Sequence, residues 1–447
     1  MNSKIKCIMK IKLRLIVMNF FQFFVWGSWL ITIGAYWFQT LPKIYPVIDA
    51  TTHASVWTGS AFGALFSTMG IASLFMPALL GIIADRWINA EKLYGICHIL
   101  GAIALFSLPM VKDPTTMFWV LLLNMMCYMP TLALSITVAY TALKNKGKDV
   151  VTNYPPIRVF GTVGFIAALW TVSLLHFETS ANQFYVASAA SLFLGLYAFS
   201  LPKCPPQLRL KQNKTVIDAL GLTSFSLFKN PRMALFFIFA MLLGAALQLT
   251  NAYGDTFLHD FATIDTYKHT IAVKYPAIIM SISQISETLF ILAIPFFLRK
   301  FGIKYVMFFS MVAWVLRFGL FAYGNPGDGL WMIILSCIVY GMAFDFFNIS
   351  GSLFVESQSD PTVRASAQGL FMMMTNGFGA WIGSSVSGVI IQKYFTHADN
   401  SKDWKGIWIA FAAYSFVIAI LFLLVFKHKD DPAAIKNIHV EPGLVNE

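Results

Sequence analysis

Long apolar runs separated by short polar or basic connectors make up almost the whole chain. Taking about twenty apolar residues as one bilayer span, the runs predict helices near Leu13 to Phe38, Val56 to Ile83, Leu93 to Val111, Met117 to Leu143, Ile157 to Leu175 and Phe184 to Leu201. A second set follows near Met233 to Leu258, Pro276 to Leu298, Gly302 to Tyr323, Gly329 to Val355, Ala365 to Ile391 and Gly406 to Phe426. The expected protein is an all-α integral membrane protein of twelve helices in two six-helix halves. Its first half is 1–201, a basic linker 202–232 follows, the second half is 233–430, and 431–447 is a tail. An internal echo supports the duplication, since the run Phe75 to Arg86 after the second span has a counterpart in Ile294 to Lys304 after the eighth.

A few polar residues break these runs where lipid-soluble residues belong. Glu287 lies in the middle of the eighth, with Gln284 one turn before it. An ionisable group there costs about 2.5–3.5 kcal/mol on insertion scales unless it faces protein, water or a ligand. Gln248 and Asn251 share a face of the seventh run, and Asp345 interrupts the tenth within Phe344-Asp-Phe-Phe-Asn348. In the fifth, Arg158, Thr162 and Phe165 recur at helical spacing on one stripe. Tyr340, Phe344 and Asp345 are taken together as an aromatic surface beside a titratable acid.

Composition agrees with the membrane reading. The chain has 447 residues, 57% hydrophobic and only 12% charged, and a mean hydropathy of +0.68; charges cover about a quarter of an ordinary soluble domain. The basic N-terminus leads straight into a span-length run with no small-residue cleavage site, so it is expected to stay as the first helix. The net charge of +11 is scattered between spans, which argues against nucleic acid and for a topology signal. One side collects Lys4, Lys6, Lys10, Lys12, Arg14, Arg86, Lys92, Lys144, Lys146, Lys148, the linker bases, Arg299, Lys300, Lys304, Arg364, Lys427, Lys429 and Lys436. The other side has Lys43, Lys112, Lys268, Lys274, Lys393, Lys402 and Lys405. Both termini are therefore expected on the cytoplasmic side. Cys7, Cys97, Cys127, Cys204 and Cys337 have no metal-ligand spacing, and free thiols are expected.

Each candidate has a plainer reading beside the functional one. Amides in membrane helices often bond only to a neighbouring helix, for about 0.6 kcal/mol on average. Arg158 can snorkel to the headgroups, or it can pair with Asp345 or Glu287 across a cavity. Arg317 shows no obvious partner and is expected to be structural, and Gly59-x-x-x-Gly63 and Gly379-x-x-x-Gly383 read as packing contacts. The functional reading is that the amides recognise the edge of a base, as Asn and Gln do for adenine, while carboxylates accept from sugar hydroxyls. An integral-membrane transferase is the rival class. It needs clustered acids or a paired nucleophile and base, whereas the histidines are dispersed and no Asp-x-x-Asp pair occurs.

Gly81-x-x-x-Asp85-Arg86 resembles the cytoplasmic loop signature of the major facilitator superfamily, with Ile88 where a later glycine is usual. More specifically, Gln22 to Leu30, Phe75 to Asp85, Pro155 to Arg158, Ile279 to Phe290, Phe344 to Ser352 and Arg364 to Gly369 resemble the nucleoside:proton symporter family of bacterial permeases. The resemblance implies a central cavity lined by Arg158, Thr162, Phe165, Gln248, Asn251, Gln284, Glu287, Tyr340, Phe344 and Asp345. It implies proton-coupled nucleoside import by alternating access at a bacterial inner membrane, with Asp345 or Glu287 as proton carrier and Asp85 and Arg86 as a conformational latch. The expected partners are a nucleoside, a proton and the lipid bilayer, with no cofactor or metal and a monomeric state. A carrier of a xanthosine-type nucleoside or a sugar on the same fold is the alternative within transport. Ala246 and Asp255 stand where the family can carry an acid and an amide respectively.

Overall fold

The structure is a computed structural model that describes residues 2–46, 55–206, 222–359 and 364–428. The central part of the linker (207–221) and the expected tail lie outside the described residues. The chain forms α1 (Asn2–Gly27), α2 (Gly59–Arg86), α3 (Ala90–Ser107), α4 (Pro114–Lys144), α5 (Pro155–Leu174) and α6 (Asn182–Ala198). After the linker come α7 (Pro231–Asp260), α8 (Pro276–Tyr323), α9 (Leu330–Gln358), α10 (Arg364–Met372), α11 (Ala380–Tyr394) and α12 (Trp404–Val425). Among the described residues eight helices are long and apolar enough to cross a membrane. Large apolar side chains such as Ile103, Trp119, Leu196, Leu292 and Leu424 stand on the outer faces, where lipid replaces water as their solvent.

Helix starts follow capping chemistry. Thr58, Asp113, Asn230 and Asp403 each accept a hydrogen bond from a backbone N–H in the first turn of α2, α4, α7 and α12. Pro114 and Pro231 follow two of these caps, where a missing N–H costs nothing. The Thr116 N–H holds the Asp113 carboxyl below its usual range.

The chain turns back within α8. Gly302 has φ 79°, a conformation that side chains with a Cβ avoid. Without that break the 48-residue helix would extend about 72 Å, more than twice the ~30 Å hydrocarbon core. The arms on either side of Gly302 both pack on α9, where Ser286 Oγ donates to Ile338 O and Ser310 Oγ to Ala343 O.

Two runs expected to be single regular helices are not. The first breaks at residues 28–32, resumes as α-helix over Ile33–Ala35 and continues as a π segment, Tyr36–Thr40. The eleventh is α10 and α11 joined by a π segment, Met373–Gly379. Buried side chains account for the first break, since Thr32 Oγ1 reaches Gln183 Oε1 at 2.7 Å in α6. In the second, the Thr375 carbonyl lies against Gly244 of α7 too closely for any Cβ there. Backbone-to-backbone approach of this kind is invisible to hydropathy.

Helices before the linker pack mainly on one another, and those after it likewise. A buried polar hub ties the first group together. Gln22 Oε1 accepts from Tyr94 OH at 2.6 Å and lies 2.9 Å from His98 Nε2, while its Nε2 donates to Thr131 Oγ1 at 2.8 Å. The two groups meet along α2 with α11 and α5 with α8. Gly63 and Gly388 face each other across the first contact with no room for a Cβ on either, and Gly383 lies equally close to Ala245 of α7. Both expected small-residue pairs therefore sit at helix contacts. The four cysteines among the described side chains (Cys97, Cys127, Cys204 and Cys337) are buried free thiols.

Candidate functional site

A cavity of about 750 Å³ lies between the two groups of helices. Nine of the ten candidate binding residues line it. Arg158, Thr162 and Phe165 come from α5, Gln248 and Asn251 from α7, Gln284 and Glu287 from α8, and Tyr340 and Phe344 from α9. Helical spacing of three or four residues puts each set on one face. Gly341 lets α9 approach the α8 backbone at Ser286 and Glu287, which fixes the carboxylate and the aromatic pair side by side. Asp85 and Arg86, with Gln368 and Gly369, line the mouth of the cavity.

The polar groups are presented to the cavity rather than to each other. Both glutamines, Gln248 and Gln284, line the cavity, and their Oε1 atoms are buried and accept no hydrogen bond among the described residues. Tyr340 and Phe344 stack nearly parallel, 3° apart with centroids 5.8 Å apart. Across from them Phe165 meets Trp26 edge to face at 6.4 Å. The result is a slot with aromatic walls and amide and carboxylate groups along its length.

Three expectations need correction. Asp345 does not line the cavity. Successive residues of a helix are 100° apart, so Asp345 turns away from the face that Tyr340 and Phe344 share. It is fully buried, and neither carboxylate oxygen has a hydrogen-bond partner. Arg158 forms no ion pair with Asp345 or Glu287. Its guanidinium lies over the Phe23 ring at 4.0 Å. Arg317 does have partners. It is buried, donates to Ser336 O at 2.7 Å, and lies 4.5 Å over the Tyr340 ring.

Sequence reasoning missed Phe23 and Trp26 as cavity residues. Their only signal was their place in an aromatic run of α1, and in a chain that is 16% aromatic such residues look like packing. It also missed the closed end of the cavity. There Gln39 Nε2 donates to Asp260 Oδ1 at 3.0 Å, Trp404 Nε1 donates to Asp260 Oδ2 at 2.9 Å, and His259 Nε2 lies 2.9 Å from Glu178 Oε2. Lys402 sits over the Phe38 ring at 3.8 Å. Burial pushes its ammonium below the ordinary lysine value, and the nearby Asp260 opposes that shift. These contacts join residues far apart in sequence, so no local pattern announces them.

Comparison with known proteins is decisive about ancestry. The family model described as "Nucleoside H+ symporter" matches residues 9–431. The chain belongs to the nucleoside H+ symporter family. The xanthosine permease of Escherichia coli (strain K12) is 53% identical over 96% of this chain and 99% of its own. The nucleoside permease NupG of the same organism is 51% identical over 94% of this chain and 97% of its own. A crystal structure of the nucleoside transporter NupG superimposes with a TM-score of 0.85, covering 94% of this chain and all of that one. In this nucleoside H+ symporter family member, nine of the residues that the resemblance singled out are among those lining the cavity.

Proposed function

We propose that the chain imports nucleosides together with protons by alternating access across a bacterial inner membrane. The observation that carries this reading is the convergence of Gln248, Asn251, Gln284 and Glu287 on one cavity walled by Phe165, Tyr340 and Phe344. Amide edges suit a base, the carboxylate suits ribose hydroxyls, and the rings suit the base faces.

Twelve spans in two six-helix halves, at 1–201 and 233–430, follow from the eight long apolar helices with four additions. These are α1, α6, the α10–α11 composite, and the division of α8 at Gly302. With the basic connectors on the cytoplasmic side, both termini and the Asp85–Arg86 end of the cavity face the cytoplasm. Asp85 and Arg86 at the mouth act as the latch that closes it when the cavity opens outward.

Asp345 and Glu287 carry the proton. The packing around Asp345 accommodates the neutral acid, because an ionised carboxylate with no donor costs several kcal/mol. Glu287, on the cavity wall, links that proton to the ligand. The protein acts as a monomer.

A second reading concerns the substrate alone. Xanthosine is a second candidate among the nucleosides, because both a xanthosine permease and a nucleoside permease are about equally similar to the chain. Competition against labelled uridine uptake tests the nucleoside reading, and the order of potency among competing nucleosides tests the preference. Uridine, adenosine or xanthosine are expected to compete, and free bases or hexoses are not. Competition by hexoses with none by nucleosides overturns the nucleoside reading.

A further inference from the structure

Away from the cavity, one cluster of chemistry-bearing side chains takes no part in ligand binding or proton transfer as described above. Glu178 comes from the loop between α5 and α6, and Asp255 and His259 lie one turn apart near the end of α7. His259 Nε2 is 2.9 Å from Glu178 Oε2 and 3.5 Å from Asp255 Oδ2. One donor atom from each residue lies within 4.8 Å of the others.

The cluster sets two carboxyl groups against one imidazole. Glu178 Oε1 accepts from the Ala277 N–H at 3.1 Å. Asp255, by contrast, is fully buried, and neither of its oxygens receives a hydrogen bond. Two carboxylates thus share one imidazole, and a buried carboxyl left without a donor holds either a proton or a cation. The nearby Lys402 ammonium is directed to Asp260, at 3.9 Å. An unmatched carboxylate aimed at a His and a second acid is what a cation site presents.

Geometry and donor type narrow the ion. Tetrahedral zinc with bonds of about 2.0–2.1 Å separates its ligand atoms by about 3.3 Å, and the two separations at His259 fall on either side of that value. A nitrogen donor with only two carboxylates suits zinc better than calcium or magnesium, which take six or more oxygens. We propose that Glu178, Asp255 and His259 form a Zn²⁺ site that bridges the two groups of helices at the closed end of the cavity. Because one ligand precedes the linker and two follow it, the bound ion ties the groups together there and slows the transport cycle. The site stands on its own geometry and does not depend on the substrate reading.

Equilibrium dialysis of the purified full-length protein with ZnCl₂ alone, in magnesium-containing buffer without nucleoside, tests it. The wild type is expected to bind one Zn²⁺ that His259→Ala and Asp255→Asn each bind at least about tenfold more weakly. Elution on gel filtration identifies any variant that has not folded, and Glu178→Gln provides a third, near-isosteric comparison. No binding by the wild type, or equal binding by the wild type and every folded variant, overturns the proposal. With no nucleoside present, such a failure leaves the transport reading untouched.

Discussion

Glu287 and Arg158 share a cavity without touching, and that separation is informative about both. A direct ion pair would consume the carboxylate, whereas here it stays open to ribose hydroxyls while the guanidinium rests on Phe23. Glu287→Gln and Gln248→Ala are each expected to weaken nucleoside binding roughly 10- to 100-fold, the worth of a charge-assisted or buried hydrogen bond, as read by titration calorimetry. Wild-type affinity in both variants would remove these residues from the site. Asp345→Asn is expected to retain binding but to make uptake insensitive to a protonophore. If uptake by both Asp345→Asn and Glu287→Gln kept full sensitivity, neither acid would be the coupling group. Arg317 props Tyr340 from behind, and its loss forfeits a desolvated cation–π contact worth about 2 kcal/mol. Arg317→Met is therefore expected to raise the KM for nucleoside, and an unchanged KM would assign Arg317 to folding alone. Glu287 was legible in sequence because an acid in an apolar run is too costly to keep for packing. The orientation of Asp345 was not, because adjacency along a helix separates side chains by 100°.

Helices were legible wherever hydropathy alone decides them, and less so where backbones touch. The turn at Gly302 falls near the basic run Arg299–Lys300 that separated two expected spans. The break at 28–32 and the π segment Met373–Gly379 depend on partners in α6 and α7, and no local pattern encodes those partners. The contact of α2 with α11 belongs to the same class. A Cβ at Gly63 would fall 2.5 Å from the Ser384 carbonyl oxygen and 2.8 Å from Gly388 Cα. Gly63→Val is expected to cost about 1–3 kcal/mol through overpacking, seen as a lowered Tm in detergent. An unchanged Tm would mean that the two helices separate without penalty.

For the molecule as a whole, the two groups of helices touch at one end and part at the other. The closed end is held by Gln39, Asp260, Trp404, Glu178 and His259, and the open end exposes Asp85 and Arg86 beside the cavity. A carrier of this form moves its ligand by exchanging which end is closed, about a site that stays near the middle. Sequence reasoning could anticipate the site because its residues are polar intruders in apolar helices. It could not anticipate the closed end, whose polar residues lie at helix ends where polarity is ordinary. The most direct measurement is uptake of labelled uridine into proteoliposomes with and without an imposed gradient, acidic outside. Accumulation above the external concentration is expected only with the gradient, abolished by a protonophore and strongly reduced in Glu287→Gln; uptake that ignores the gradient, or none for any nucleoside, would contradict proton-coupled nucleoside import.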